Sequence, residues 1–403
     1  MSNASMSKSE FIALIAMMFA TIAFSIDAML PALPEIAAQL SPQDANRAQL
    51  ILAAFILGMG VGTFLTGPLS DALGRKPVIL GGALLYIVGA LISWQGETLN
   101  TVLLGRVLQG LGAAGPRVVA MAVIRDLYKG RDMARIVSIA MLIFTLVPAI
   151  APLVGAGIIA VTGWRAIFLA FVLFAVIIIV WMSARLPETL DLPDRRPFRA
   201  RLLGAALVEM FAHPTVRLSI LTQTLSMGML FSMITQVQPI YDVVFDQAEI
   251  FPLMFGGVAL VSGSASVLNA TFVVRVGMRR IVTWTLGAHV IISLIMLTLS
   301  AVPLPGMVYF AAFVVWQTTV FFAAGTTLGN LNAIAMEPMG HIAGMAASVI
   351  GAVATVGAAV MAAGLGQLFD GSLLPLALGL LAMSGLGYAL MLRMGRVEGE
   401  LPV

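Results

Sequence analysis

Four ionisable side chains lie inside long apolar stretches of the sequence: Asp27, Arg106, Arg117 and His289. A charged or titratable group is costly to place in apolar surroundings, so it usually serves ligand binding, proton transfer or an ion pair. A carboxyl group can gain or lose a proton as water enters or leaves its surroundings, and a neighbouring arginine changes that balance. Asp27 and Arg106 are therefore candidates for proton exchange. We interpret His289, which stands alone in its stretch, as a hydrogen-bonded structural residue.

The elements that must position these groups are twelve apolar runs. The chain of 403 residues is 60% hydrophobic and only 10% charged, whereas a soluble domain carries about 25% charged residues. Each run is long enough for a helix to cross a bilayer, which takes about 20 residues. We predict an all-α integral membrane protein with twelve transmembrane helices, at residues 11–30, 48–70, 78–95, 101–124, 135–160, 165–184, 215–239, 251–274, 281–301, 306–333, 344–368 and 373–393.

The basic residues fall mostly on one side of the predicted membrane. With twelve spans both chain ends share a side, and the opposite loops offer only Arg47 and Arg165, at helix starts. The positive-inside rule then places both termini in the cytoplasm. One long polar segment, rich in proline and arginine, separates the sixth and seventh spans. We therefore predict two six-helix halves, 1–185 and 214–403, joined by a cytoplasmic linker, 186–213.

Asp27 and Arg106 share a depth in this arrangement. Asp27 lies about three residues before the outer end of the first helix and Arg106 about five residues after the outer start of the fourth. At 1.5 Å per residue, both lie roughly 5–8 Å below the outer boundary. A cross-helix pair is geometrically feasible. It would be either a fixed structural salt bridge or a site of proton coupling.

Arg117 lies eleven residues beyond Arg106 on the same helix. A helix returns to within about 20° of the same direction over that distance, about 16 Å deeper. If Arg106 faces the interior, Arg117 should too. One interpretation is a side chain that extends to the cytoplasmic face beside Arg125. The other is a cation in a central cavity that attracts an anionic or strongly dipolar substrate.

The loop between the second and third spans carries charges between glycines and prolines. Basic loops of this length are normal in any membrane protein facing the cytoplasm. The spacing here, however, resembles the G-x-L-x-D-x-x-G-R-K signature of the major facilitator superfamily. The matching residues are Gly67, Leu69, Asp71, Gly74, Arg75 and Lys76, with Ala72 where the superfamily often has a basic residue.

This resemblance implies a conformational gate. We expect Asp71 to hold the cytoplasmic end closed by capping the start of the eleventh helix near Gly344, where the helix dipole favours an anion. The resemblance adds Arg75 and Asp126 as its partners in a charge relay.

The fourth helix also carries a superfamily motif. Arg106, Gln109 and Gly110 match R-x-x-Q-G, whose arginine is implicated in proton transfer in proton-driven antiporters of the family.

The fifth helix partly matches the G-P-x-x-G-G motif of antiporting members. Pro152, Gly155 and Gly157 are in place, whereas Ala151 and Ala156 replace two glycines. Proline frees a backbone carbonyl and the glycines permit close contact with a facing helix. An ordinary kinked helix is the alternative.

Spans 1, 4, 7 and 10 line the cavity in the family. Polar residues cluster in the seventh and tenth spans, and methionine adapts its packing to varied ligands. The candidate substrate contacts are Phe24, Arg117, Met233, Gln236, Trp316 and Gln317.

Three segments are similar to the bicyclomycin/chloramphenicol-resistance branch of the drug/proton antiporters: residues 27–34, 186–189 and 337–340. The resemblance implies the major facilitator fold of two pseudo-repeated halves and a bacterial inner-membrane exporter that exchanges protons for an amphipathic compound by alternating access. An importer or uniporter of a small, possibly anionic metabolite on the same fold stays open, because fold does not fix function.

The expected partners are protons, a small-molecule substrate and the lipid bilayer, but no nucleic acid, and we expect a monomer. The sequence has no cysteine and three histidines, so we expect neither a metal nor a cofactor. No nucleophile–base set or phosphate-binding loop indicates an enzyme.

Overall fold

The computed structural model describes residues 6–399, except for the side chains at positions 134, 145, 200, 398 and 399. Within this range every regular element is helical. In chain order the α-helices are α1 (Lys8–Asp27), α2 (Leu33–Leu40), α3 (Leu50–Leu73), α4 (Arg75–Gln95), α5 (Leu99–Leu127), α6 (Gly130–Thr162), α7 (Ala166–Arg185), α8 (Ala200–Ala212), α9 (Pro214–Pro239), α10 (Phe251–Val276), α11 (Met278–Ser300), α12 (Gly306–Met336), α13 (Ala343–Gln367) and α14 (Leu374–Gly399).

The described residues contain 11 stretches that are long and apolar enough to cross a membrane. The longest, Gly306–Gln367, holds two helices, α12 and α13. They are joined by the 3₁₀ turn Glu337–Ile342, in which Met339 leaves the helical conformation at φ −105° and ψ 21°. Counting these two separately gives α1, α3–α7 and α9–α14, and the predicted all-α membrane fold of twelve helices is confirmed.

The helices form two compact units. One comprises Met1–Pro42 and Ala54–Ala200, and the other comprises Gln43–Ala53 and Arg201–Val403. The division after residue 200 falls inside the polar segment that we predicted to be a linker. The sequence did not predict that Gln43–Ala53, which includes the start of α3, belongs with the second unit.

In the first unit, α4 and α5 pack closely through facing glycines. A Cβ atom on Gly105 would lie 2.6 Å from the carbonyl oxygen of Gly89, and one on Gly82 would lie 2.8 Å from that of Gly112. Both positions therefore require glycine, as expected for membrane helices that approach through small residues. The contact brings Tyr86 of α4 against the middle of α5.

The two units repeat one backbone feature. Gly74 links α3 to α4 with φ 105°, and Gly277 links α10 to α11 with φ 89°. A positive φ in this range strains residues that carry a side chain, so glycine is favoured at both turns. The two turns occupy corresponding places in the two halves, which fits a chain built from pseudo-repeated halves.

In the second unit, α9 packs against α12, α13 and α14. The Ser219 hydroxyl of α9 donates to the Leu331 carbonyl of α12 at 2.7 Å. Beyond the end of α9, the ring of Tyr241 lies edge-on to Phe251 and Phe310, with centroids 5.2 and 5.3 Å away. Such aromatic contacts add to the free energy of apolar burial and fix the C-terminal end of α9.

Candidate functional site

Arg106 is fully buried in the first unit. Its guanidinium donates to the Gln109 amide oxygen at 2.8 Å and to the main-chain carbonyl of Ser25 at 2.9 Å. The Phe55 ring centroid lies 4.4 Å from the guanidinium carbon, within the range of a cation–π contact. A buried charge is stable only when its donors are used. These contacts therefore tie α5 to the end of α1.

A second buried link joins the same place to α4. The Tyr86 hydroxyl lies 2.6 Å from the Ser25 hydroxyl, which in turn donates to the Thr21 carbonyl at 2.5 Å. Tyr86 must then be the donor to Ser25. A buried polar cluster holds α1, α4 and α5 together; its members are Ser25, Tyr86, Arg106 and Gln109. Sequence analysis missed Ser25 and Tyr86, because a serine and a tyrosine in an apolar run carry no spacing signal.

Asp27 is the last residue of α1 and is only 4% exposed. Among the ion pairs of the described residues, none joins Asp27 to Arg106. The direct pair that the shared depth made feasible is therefore not formed. The connection runs through the main chain instead, since Arg106 binds the carbonyl of Ser25, two residues before Asp27. Among the described residues, the Asp27 carboxyl has no hydrogen-bond or ion-pair partner. A role in proton exchange stays a prediction.

The partly matched motif of the fifth helix lies against this end of α1. Pro152 is inside α6. A Cβ atom on Gly155 would collide with the backbone of Ala28, the residue after Asp27, whereas one on Gly157 would meet nothing within 4 Å. The predicted close contact is therefore made at Gly155 and not at Gly157. It fixes the backbone next to the Asp27 carboxyl.

The turn between α3 and α4 holds a network of charges. The Arg75 guanidinium donates to Asp71 at 2.5 Å and to Asp126 of α5 at 3.0 Å. It also donates to the Ser70 hydroxyl at 2.8 Å. Arg75 is nearly buried, while the side chain of Asp71 is 47% exposed. The three charged residues that the resemblance grouped are thus in contact. Whether they act as a gate stays a prediction.

Two glycines and a lysine of the same predicted gate also have defined places. Gly67 lies within α3, and Gly74 is the N-cap residue before α4. Lys76 donates through its amino group to the carbonyls of Leu186 at 2.7 Å and Ser183 at 3.0 Å. It thereby holds the end of α7.

Glu188 completes this network, and sequence analysis missed its role. Its carboxylate accepts backbone N–H bonds from Arg75 at 2.9 Å and from Lys76 at 3.1 Å, at the first turn of α4. Gly74 has no side chain to cap that helix, so its free N–H groups need an external acceptor. Partial burial alone would raise the pKa of Glu188. The backbone N–H groups of Leu190, Arg75, Lys76 and Thr189 together lower it below its ordinary value.

The predicted substrate contacts are spread over both units. Phe24 is half-buried and packs against Phe171 at 5.3 Å. Arg117 is exposed, whereas Arg106 on nearly the same side of α5 is buried. Met233 and Gln236 are fully buried on α9. Their contact with a substrate stays a prediction.

Trp316 and Gln317 of α12 already have partners within the second unit. The Trp316 indole donates to the Ser293 hydroxyl of α11 at 3.3 Å, and that hydroxyl lies 3.1 Å from His289. The interpretation of His289 as a hydrogen-bonded residue agrees with this geometry. Gln317 accepts from the Tyr241 hydroxyl at 3.0 Å. Trp316 is therefore engaged in helix packing.

Several buried amide groups in the second unit have unused hydrogen-bonding capacity. Neither the oxygen nor the nitrogen of the Gln236 amide has a partner among the described protein groups. The Gln317 nitrogen and the Gln223 oxygen also have none. Buried polar groups are normally satisfied. These amides are thus available to water or to a polar substrate.

A clasp of hydrogen bonds joins the segment before α3 to the end of α13 within the second unit. The Asn46 amide donates to the Phe369 carbonyl at 2.7 Å, and the Gln367 amide donates back to the Asn46 carbonyl at 3.0 Å. These reciprocal bonds hold the segment around Asn46 against the C-terminal end of α13.

Replacing Glu188 by glutamine tests the cap of α4. Glu188→Gln removes the charge that the N-terminal N–H groups favour, and we expect it to destabilise the protein by about 1 kcal/mol. The pKa of Glu188 in the folded protein lies below its ordinary value of 4.5. Its charge therefore stabilises the folded state fully above about pH 4.5, and this stabilisation is lost as the pH falls through the folded-state pKa. The measurement is the unfolding midpoint of purified protein between pH 7 and pH 4.

The matched control is Glu97→Gln, since Glu97 is an exposed acid in the loop after α4. We expect this variant to keep the wild-type midpoint. Equal midpoints for Glu188→Gln and Glu97→Gln at neutral pH would contradict the assignment of the cap.

Comparison with known proteins identifies the family. The model of the Major Facilitator Superfamily matches residues 13–365. A bicyclomycin resistance protein homolog of Haemophilus influenzae is 30% identical over 346 residues, which cover 84% of this chain and 84% of that protein. The multidrug resistance protein MdtL of Escherichia coli K12 is 27% identical over 328 residues, covering 81% and 80%.

A solved structure shows the same fold. The xylose transporter XylE of Escherichia coli, in a partially occluded inward-open conformation, superposes with a TM-score of 0.74 at 14% identity, covering 95% of this chain and 96% of that one. This likeness concerns the fold alone. The chain therefore belongs to the Major Facilitator Superfamily, in its bicyclomycin/chloramphenicol-resistance branch, and it is a membrane transporter and not an enzyme.

Proposed function

We propose that the chain is a proton-coupled exporter of drugs or other small amphipathic molecules, working by alternating access in the inner membrane of a bacterium. The observation that carries the proposal is the buried Asp27 carboxyl, which has no partner among the described residues and lies next to a helix end fixed by Arg106. The names of the relatives support export of antibiotics.

The chemistry of coupling follows from the surroundings of Asp27. A carboxyl in dry surroundings favours its neutral, protonated form, whereas contact with water favours the charged form. Arg106 is held by Ser25 and Gln109, and in this proposal it keeps its positive charge throughout the exchange. A substrate that enters near Asp27 and brings water or a positive charge would release the proton. Proton entry would in turn favour release of the substrate.

Alternating access requires that the ends open in turn. The clasp of Asn46 and Gln367 consists of hydrogen bonds that their side-chain amides donate to main-chain carbonyls, and these can re-form without moving a charge. The Asp71–Arg75–Asp126 network would hold the other end, on the side of the chain termini. In this proposal the two devices are the outer and the cytoplasmic gates.

A second candidate is an importer or uniporter of an anionic metabolite. It is favoured by Arg117, which is exposed on a membrane-spanning helix and has no ion-pair partner among the described residues. An unpaired cation in a span is costly and would be stabilised by an anionic substrate.

Drug susceptibility of an efflux-deficient bacterium distinguishes the two candidates. For an exporter, expression of the chain raises the inhibitory concentration of at least one amphipathic antibiotic. A protonophore abolishes that protection, because the gradient drives export. Unchanged susceptibility together with faster uptake of an organic anion would contradict export and support the importer.

Replacing Asp27 by asparagine tests proton coupling. An amide of the same shape cannot exchange a proton, so we expect Asp27→Asn to lose gradient-driven drug transport into everted vesicles, down to the level of vesicles without the protein. Drug binding to the purified variant should persist. Asp44→Asn, at an exposed loop position, is the control and should transport normally. Wild-type transport by Asp27→Asn would show that another group carries the proton.

A further inference from the structure

A groove of about 360 Å³ runs along the surface of the second unit between α9, α13 and α14. Its walls are almost entirely apolar, and one end carries a cation. The lining residues are Leu221, Thr224, Leu225, Met361, Leu386, Ala389, Leu390 and Arg393.

The apolar part of the groove is accessible from outside the unit, and its lining has no free polar group. Leu221 is 41% exposed and Leu386 is 59% exposed, so the groove faces the surroundings of the unit. Thr224 is the only uncharged polar residue in its lining, and its hydroxyl donates to the Ile220 carbonyl of its own helix at 2.8 Å. The walls therefore offer no unmet hydrogen bond. In a membrane such a surface is suited to an acyl chain.

Two arginines mark the same end of the groove. Arg393 lies one turn beyond Ala389 on α14, and Arg217 lies one turn before Leu221 on α9. Residues four apart on a helix share a face, about 6 Å apart along it. Arg217 therefore continues the face of α9 that carries Leu221. Both arginines are exposed, and no carboxylate lines the groove.

The depth of these arginines matches the membrane surface. Arg393 lies near the C-terminal end of α14 and Arg217 in the first turn of α9, where each helix leaves the apolar region. Arg217 uses one N–H group on the Phe211 carbonyl at 3.3 Å. Its other donors have no partner among the described residues and can bind a ligand. Guanidinium groups bind phosphate oxygens in pairs. An apolar groove that leads to them has the chemistry of a phospholipid site.

We propose that this groove binds one anionic phospholipid from the leaflet that meets the C-terminal end of α14. One acyl chain lies along Leu221, Leu225, Leu386 and Leu390, and the headgroup phosphate contacts Arg393 and Arg217. Charge complementarity selects the anionic lipid, because basic sites between transmembrane helices attract anionic headgroups. This inference does not depend on what the transporter carries.

Lipid retention by the purified full-length protein tests the site. The probes are phosphatidylglycerol and phosphatidylcholine with identical acyl chains, added to delipidated protein in detergent. Bound lipid is counted by native mass spectrometry, and the unfolding midpoint is recorded alongside. We expect one phosphatidylglycerol to be retained in preference to phosphatidylcholine and to raise the midpoint. Inorganic phosphate alone should leave the midpoint unchanged.

Two variants separate the headgroup contact from the groove. Arg393→Gln should weaken phosphatidylglycerol binding about five-fold, the effect of one basic residue at a membrane surface. Arg280→Gln, an exposed arginine at the start of α11, is its matched control and should bind normally. Ala389→Phe fills the groove and should abolish retention of the lipid, whereas Ala382→Phe, at an exposed position of α14 outside the groove, should not.

Each contrary result overturns the proposal. Equal retention of the two lipids, or equal binding by Arg393→Gln and Arg280→Gln, would exclude selection by charge. If inorganic phosphate raised the unfolding midpoint as much as the lipid does, the site would bind anions in general and not a phospholipid. A dimer that Ala389→Phe disrupts would assign the groove to a second copy of the chain.

Discussion

The buried guanidinium of Arg106 is the constraint on which the first unit depends. The N–H donors of a charged group without access to water need hydrogen-bond acceptors inside the protein. Here those acceptors include a side chain of its own helix and the main chain of α1. The arginine therefore fixes the end of α1, and with it the position of Asp27, by a bond that does not neutralise the acid. This separation keeps an anchor and a titratable group close together without locking them into one ion pair.

The close approach of α4 and α5 serves the same arrangement. Glycines at the contact let α4 approach α5 closely, and Tyr86 of α4 then reaches Ser25 of α1. The polar cluster is therefore enclosed by three helices. On α6, Gly155 brings the backbone against Ala28. Glycine in these helices is thus required by the site as well as by packing. At the other end of α4, Arg75 and Glu188 tie the helix start to α5 and to the segment after α7.

The sequence predicted the helices well, because twenty-residue apolar runs have few alternatives in a membrane protein. It also predicted the contact of Arg75 with Asp126, though only through the resemblance. It could not predict Glu188 as a cap, since the partner amide lies 113 residues away along the chain. The shared depth of Asp27 and Arg106 made a pair feasible but could not decide it, because depth gives the height of a side chain and not its direction. For the same reason Gly157 was expected in a contact that only Gly155 makes.

The central claim is that Asp27 is protonated in its dry site and releases its proton when substrate binds. Infrared difference spectroscopy of the purified transporter measures this directly, through the C=O stretch of a protonated carboxyl group. The account predicts a band near neutral pH that is absent from Asp27→Asn and that disappears when a transported drug is added. A band that the Asp27→Asn variant retains, or an Asp27 band that the drug leaves unchanged, would contradict the account.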